Sequence, residues 1–235
     1  MMVVEAGTGE WLVVATVDGP VVLPRIDFAQ CRIVKGELRA RVSAASSDEA
    51  KQKAETLFRR ATWSLLLSSR RQYDFKVSRV KSLAEKGSQT IYVTDTLRVR
   101  LTPEDTATAV ELYELLRTIR PAQRRLEMAL SDLQCAMSDG TPFAFVHLHR
   151  CLEQIKEFFG GWPAMRADLN LSEGYLRYVT TRRSGPEFGT AHAPVKRGPR
   201  TRITRKEIRE GTSRAVEVLK RFLYFLADRP VGELG

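Results

Sequence analysis

Histidine and cysteine are both scarce in this chain, with three of each among 235 residues. Cys31, Cys135 and Cys151 are odd in number and lack CxxC spacing, so neither a disulfide framework nor a zinc knuckle is indicated. Reduced, mostly buried thiols are expected. No apolar run approaches the roughly 20 residues that a bilayer-spanning helix needs, so no membrane partner is expected. The opening stretch MMVVEAGTGEWLVV has no basic residue before its apolar part and is unlike a secretory signal, which favours a cytoplasmic protein. Also missing are a GxxxxGK loop followed by Ser or Thr, a GxGxxG after a strand, an HExxH and a GxSxG. Nucleotide-hydrolysing, dinucleotide, metalloprotease and serine-hydrolase chemistries therefore lack their motifs, and no cofactor is expected.

Positive charge is what the chain has in excess. Its net charge is +10 and its pI about 9.8, and a basic surface concentrates polyanions through long-range attraction and counterion release. From Arg177 to Arg221 there are thirteen Lys and Arg against four Glu, a local excess of +9. At its centre, residues 189–206 (GTAHAPVKRGPRTRITRK) hold six Lys or Arg, one histidine and no acid. Nucleic acid is thus the first partner to consider, with Arg177, Lys196, Arg197, Arg200, Arg202, Arg205 and Lys206 as candidate phosphate contacts.

The hydrophobic pattern divides the chain into an α+β arrangement of two domains, 1–101 and 102–235. Residues 10–43 read as strands: WLVVATV, GPVVLP, QCRIV, and ELRARVS after a turn at Lys35-Gly36-Glu37. Leu38, Ala40 and Val42 take one face of the last, and Arg39 and Arg41 the other. Ser46 followed by Glu49 is a capping-box pattern opening a helix to about Ser68. Strands are expected again near 73–80 and 90–101, giving a small, mainly antiparallel sheet with one packed helix. If the strands neighbour each other, Arg39, Arg41, Arg98 and Arg100 share a polar face. Tyr92 is the lone candidate for base stacking.

After Leu101 the period becomes helical. Thr102-Pro103-Glu104-Asp105 is a strong helix start, with Ala109, Leu112, Leu116 and Ile119 as its stripe. Leu126, Leu130, Leu133 and Met137 mark a second helix; Phe145, Leu148, Leu152, Ile155 and Phe159 a third; roughly 163–182 a fourth. Ile208, Thr212, Ala215, Leu219, Phe222 and Leu226 mark the last. The expectation is a five-helix bundle whose one long connection, 183–203, enters the final helix.

Acid-base candidates are few because histidine is scarce. His147 and His149 fall in a helix, where they and Cys151 cannot share a face; a metal site there would need strand geometry, so partly exposed helix histidines are expected. Cys151 sits beside the Leu148–Leu152 stripe, which argues for burial rather than nucleophilicity. His192, among arginines, has the chemistry of ribose-phosphate cleavage, in which imidazole moves a proton while guanidinium stabilises the charged phosphate.

The succession FAFVHLHRCLEQIKEFFGG, a helix carrying LRYVTTRRSG, then TAHAP and a final amphipathic helix resembles the HEPN superfamily of all-α domains over about residues 105–228. That resemblance implies an arginine and a histidine a few residues apart near the final helix, paired across a homodimer as a metal-independent ribonuclease. A prokaryotic defence or toxin system is the setting that the resemblance suggests. By position His192 is the histidine and Arg183 or Arg182 the arginine. Eight residues separate Arg183 from His192, longer than the family pattern, and Thr190-Ala191 stand where many relatives have an arginine. Three readings follow: a nucleic-acid-binding protein, RNA favoured over DNA; a ribonuclease using His192; and a module that pairs with an acidic protein or with itself.

Overall fold

The computed structural model describes residues 8–19, 21–83, 99–119, 123–139, 141, 143–181 and 203–228. The chain forms two compact units, Met1–Arg117 and Thr118–Gly235.

In the first unit, strands β1 (Gly9–Asp18), β3 (Ile26–Asp27), β4 (Cys31–Val34), β5 (Glu37–Ala44) and β6 (Asp74–Ser82) form an antiparallel sheet in the order β3-β4-β5-β1-β6. Lys35 and Gly36 both take positive φ, 52° and 77°, as a two-residue type I′ hairpin between β4 and β5 requires. That turn fixes the register, and Leu38, Ala40 and Val42 fall on the core face as their alternation predicts. Helix α1 (Ser47–Ser69) covers this face with Ala50, Ala54, Phe58, Ala61 and Leu65. Its start is capped twice: Ser46 Oγ accepts from Glu49 N at 3.2 Å, and Glu49 Oε2 accepts from Ala45 N at 2.7 Å. The return bond thus goes one residue before the N-cap.

The 90–101 strand is described only at β7 (Val99–Arg100), which pairs in parallel with β2 (Val21–Val22) as a separate two-stranded sheet. The neighbours of β5 are β4 and β1, so Arg39 and Arg41 do not share a strand pair with Arg100. Arg98 and Tyr92 lie outside the described residues.

Helix α2 (Pro103–Thr118) starts as its sequence predicts, Thr102 Oγ1 accepting from Asp105 N at 3.0 Å. Its inward residues Ala109 and Tyr113 belong to the sheet's core. Tyr113 stacks on Phe28 at 4.7 Å and receives the Cys31 Sγ contact at 3.8 Å. The first compact unit therefore extends through Arg117, past the boundary expected at 101.

The second unit contains α3 (Gln123–Ser138), α4 (Ala144–Phe159), α5 (Trp162–Asp168), α6 (Glu173–Thr180) and α7 (Arg205–Leu226). The single helix expected over 163–182 is two, because Asn170 adopts a left-handed turn (φ 49°) and Ser172 starts a new helix, accepting from Tyr175 N at 3.1 Å. Helix α4 packs against α3, α6 and α7. Its apolar stripe meets α7 at Gly211, where an added Cβ would come within 2.8 Å of Phe145 Cε1 and 3.0 Å of Leu148 Cδ1. Among the described residues no helix is long and apolar enough to cross a membrane.

Candidate nucleic-acid interface

The sequence itself sets both borders of the basic segment. Thr204-Arg205-Lys206-Glu207 closes a capping box: Thr204 Oγ1 accepts from Glu207 N at 3.3 Å, and Glu207 Oε2 accepts from Thr204 N at 2.9 Å. At the other border α6, only eight residues long, is too short to hold its shape alone. Burial of Leu176 and Val179 anchors it. So does Arg214 of α7, whose guanidinium lies over Tyr175 (5.0 Å) and Tyr178 (4.2 Å) and donates to the Tyr175 carbonyl at 3.3 Å.

Of the candidate residues, Arg177, Arg205 and Lys206 are described. All three are exposed, and their side chains make no hydrogen bond or ion pair among the described residues. Arg177 borders a cavity of about 230 Å³ with Trp162, Arg166 and Glu173, the last two paired at 3.0 Å. Arg205 and Lys206 stand in the first turn of α7, at the positive end of the helix dipole, where cations gain nothing from the helix. The capping box occupies the N–H groups of Thr204 and Glu207. His192, Arg182, Arg183, Lys196, Arg197, Arg200 and Arg202 lie outside the described residues.

Two arginines counted in the +9 segment are structural. Arg214 pairs with Glu210 at 2.8 Å. Arg221 pairs with Glu217 at 3.2 Å and donates to the carbonyls of Leu169 (3.0 Å) and Asn170 (2.6 Å), tying α7 to the α5–α6 turn. Their signal in the sequence is the Glu-to-Arg spacing of four on one helix. Arg177, Arg205 and Lys206 are among the described cations of the segment that are not used in this way.

The remaining histidines each lie near a carboxylate. His147 Nδ1 lies 3.8 Å and Arg150 Nε 3.4 Å from Oδ1 of the buried Asp132. His149, expected to be partly exposed, is buried, because it points toward α5, with its ring 6.3 Å from Trp162 and Nε2 3.1 Å from Glu153 Oε1. Cys151 is wholly buried; desolvation, and then the Asp132 charge, push its thiol well above the usual range, which makes it a poor nucleophile. No group of three or more His, Cys, Asp or Glu among the described residues has the geometry to hold a metal ion. Compared with protein-family models, curated proteins and solved structures, the chain has no match.

Proposed function

We propose that this chain is a nucleic-acid-binding protein, RNA favoured over DNA, which contacts phosphates through the basic segment between α6 and α7. The observation that carries the reading is the concentration of charge: +9 between Arg177 and Arg221, with no acid from 189 to 206. The packing supports it. The four glutamates of that stretch include three tied to local roles, in the capping box and in the pairs with Arg214 and Arg221, while Arg177, Arg205 and Lys206 stay exposed. In this reading the second unit is a HEPN-like bundle. Anisotropy of a labelled single-stranded RNA oligonucleotide is the test, comparing the intact chain with one carrying Gln at 196, 197, 200 and 202. Loss of most of the affinity is expected; equal binding by both proteins removes the reading.

A second reading is metal-independent RNA cleavage by His192 with Arg183 or Arg182. It is favoured by the burial of His149 and by the arginine-rich sequence around His192. RNA degradation in the presence of a chelator, lost in His192→Ala, is its expected signature. Equal degradation by His192→Ala rejects the assignment.

A further inference from the structure

Strand β4 has four residues and β5 eight, so β4 pairs with only part of β5. Among the described residues, Cys31–Val34 pair with Glu37–Ala40, whereas Arg41–Ala44 pair with β1 alone. Beyond Ala40 the outer edge of β5 therefore has no strand partner among the described residues. Lys53 of α1 reaches that edge and donates to the Ser43 carbonyl at 2.7 Å. A cleft of about 1090 Å³ curls around it.

Cations line the cleft from both sheet and helix. Alternation puts Arg39 and Arg41 on the face of β5 opposite the core, and Arg32 of β4 is the direct cross-strand partner of Arg39. From α1, Lys53 and Arg60 fall on the stripe that also carries Thr56 and Leu57. Among the described residues, the one carboxylate lining the cleft, Asp27, is held by Arg25 at 3.0 Å. Arg39 is paired with Glu37 and Lys53 with Glu49, each at 2.7 Å. The side chains of Arg32, Arg41 and Arg60 make no hydrogen bond or ion pair among the described residues.

Such an arrangement works against folding. Like charges directly opposite each other on paired strands are destabilising, and here Arg32 faces Arg39 with Arg41 two residues away, a repulsion that the Glu37 carboxylate on Arg39 offsets only in part. A bound anion removes that cost, and the planar, two-pronged guanidinium suits phosphate oxygens. The cations come from three separate segments around a space far larger than one phosphate. We propose that this cleft is a phosphate-binding site, taking consecutive phosphates either of a nucleic-acid strand or of a free polyphosphate. It lies in the first unit and stands without the basic segment of the second.

The test is calorimetric titration of the full chain at low ionic strength with inorganic tripolyphosphate, an RNA oligonucleotide and poly-glutamate. Two variants accompany it: Arg41→Gln/Arg60→Gln, and the chain with Gln at 196, 197, 200 and 202. Both arginines of the first variant lie on the cleft's surface, so its thermal midpoint checks that it folds. Tripolyphosphate should bind, weakening about tenfold for each arginine removed and unchanged in the second variant. Competition by RNA for tripolyphosphate assigns the site to a strand; binding of tripolyphosphate without such competition assigns it to a free polyphosphate. Absent tripolyphosphate binding, wild-type affinity in a folded Arg41→Gln/Arg60→Gln protein, or equal affinity for poly-glutamate overturns the proposal. Failure of the basic segment's role shows separately, as RNA binding untouched by the second variant.

Discussion

Arg214 lies with its guanidinium carbon 4.2 Å from the centroid of the Tyr178 ring, a contact between α7 and α6 on either side of the basic segment. The same side chain pairs with Glu210 and donates to the Tyr175 carbonyl. Arg214→Ala is expected to loosen α6 by about 1–2 kcal/mol, because it removes both the cation–π interaction and the packing of the arginine stem. Lysine should restore only part of this, since it lacks the planar group that stacks. Hydrogen exchange of the α6 amides reads the effect; unchanged protection in Arg214→Ala would show that this side chain does not hold the helix.

Gly211 sets the approach of α4 to α7. A methyl group there meets Phe145 and Leu148, both fully buried, so Gly211→Ala should destabilise the second unit by about 1–3 kcal/mol despite alanine's better helix propensity. Gly174, in α6, has open space around the same position. Gly174→Ala should therefore be neutral or stabilising by about 0.5 kcal/mol. Urea unfolding of the two variants decides, and equal destabilisation by both would rule out a special closeness of the helices at Gly211.

The three thiols should separate cleanly. Cys135 is exposed, whereas Cys31 and Cys151 are buried. A thiol reagent at neutral pH should label Cys135 alone in the folded chain and all three in denaturant. Rapid labelling of Cys151 in the native protein would contradict its place in α4.

Alkaline pH should weaken the fold. Burial pushes the Cys31 thiol from its ordinary 9.0 up to about 12, and Cys151 is raised as well. A group whose pKa is higher in the folded chain gives stability that is complete below the unfolded value and is lost as pH rises toward the folded one. Between about pH 9 and pH 12, Cys31 alone then costs about 1.4 kcal/mol per pH unit. Urea midpoints should be flat below that window and fall within it, and Cys31→Ala should make the fall shallower; a slope unaffected by Cys31→Ala would assign it elsewhere.

Local signals were the most legible in the sequence. The Lys35-Gly36 turn, the alternation of Leu38, Ala40 and Val42, the Thr102 start and the heptad-like stripe of α4 all appear where their chemistry puts them, because each is decided by neighbours in the chain. What escaped depends on distant partners. Tyr113 joins the core of Phe28 and Cys31, more than eighty residues earlier, and nothing in its own helix reveals that allegiance. His149 is buried because Trp162 and Glu153 lie beside it. The break at Asn170 rests on its left-handed backbone, and its local signal is Ser172 ahead of Glu173, a capping pattern. In the candidate interface, charge density was legible, but the internal use of Arg214 and Arg221 emerged only with the carbonyls and rings they touch.

The sharpest test of phosphate binding by the basic segment is the salt dependence of RNA affinity in the full chain. Log affinity should fall linearly with log salt. Replacing Arg177, Arg205 and Lys206 by Gln should make the slope shallower by about one for each phosphate that the variant no longer neutralises. Replacing Arg214 by Gln should leave the slope nearly unchanged, since its charge is spent on Glu210 and on the Tyr175 and Tyr178 rings. A flat salt response in the intact chain, or no RNA binding at low salt, would contradict phosphate recognition by this segment.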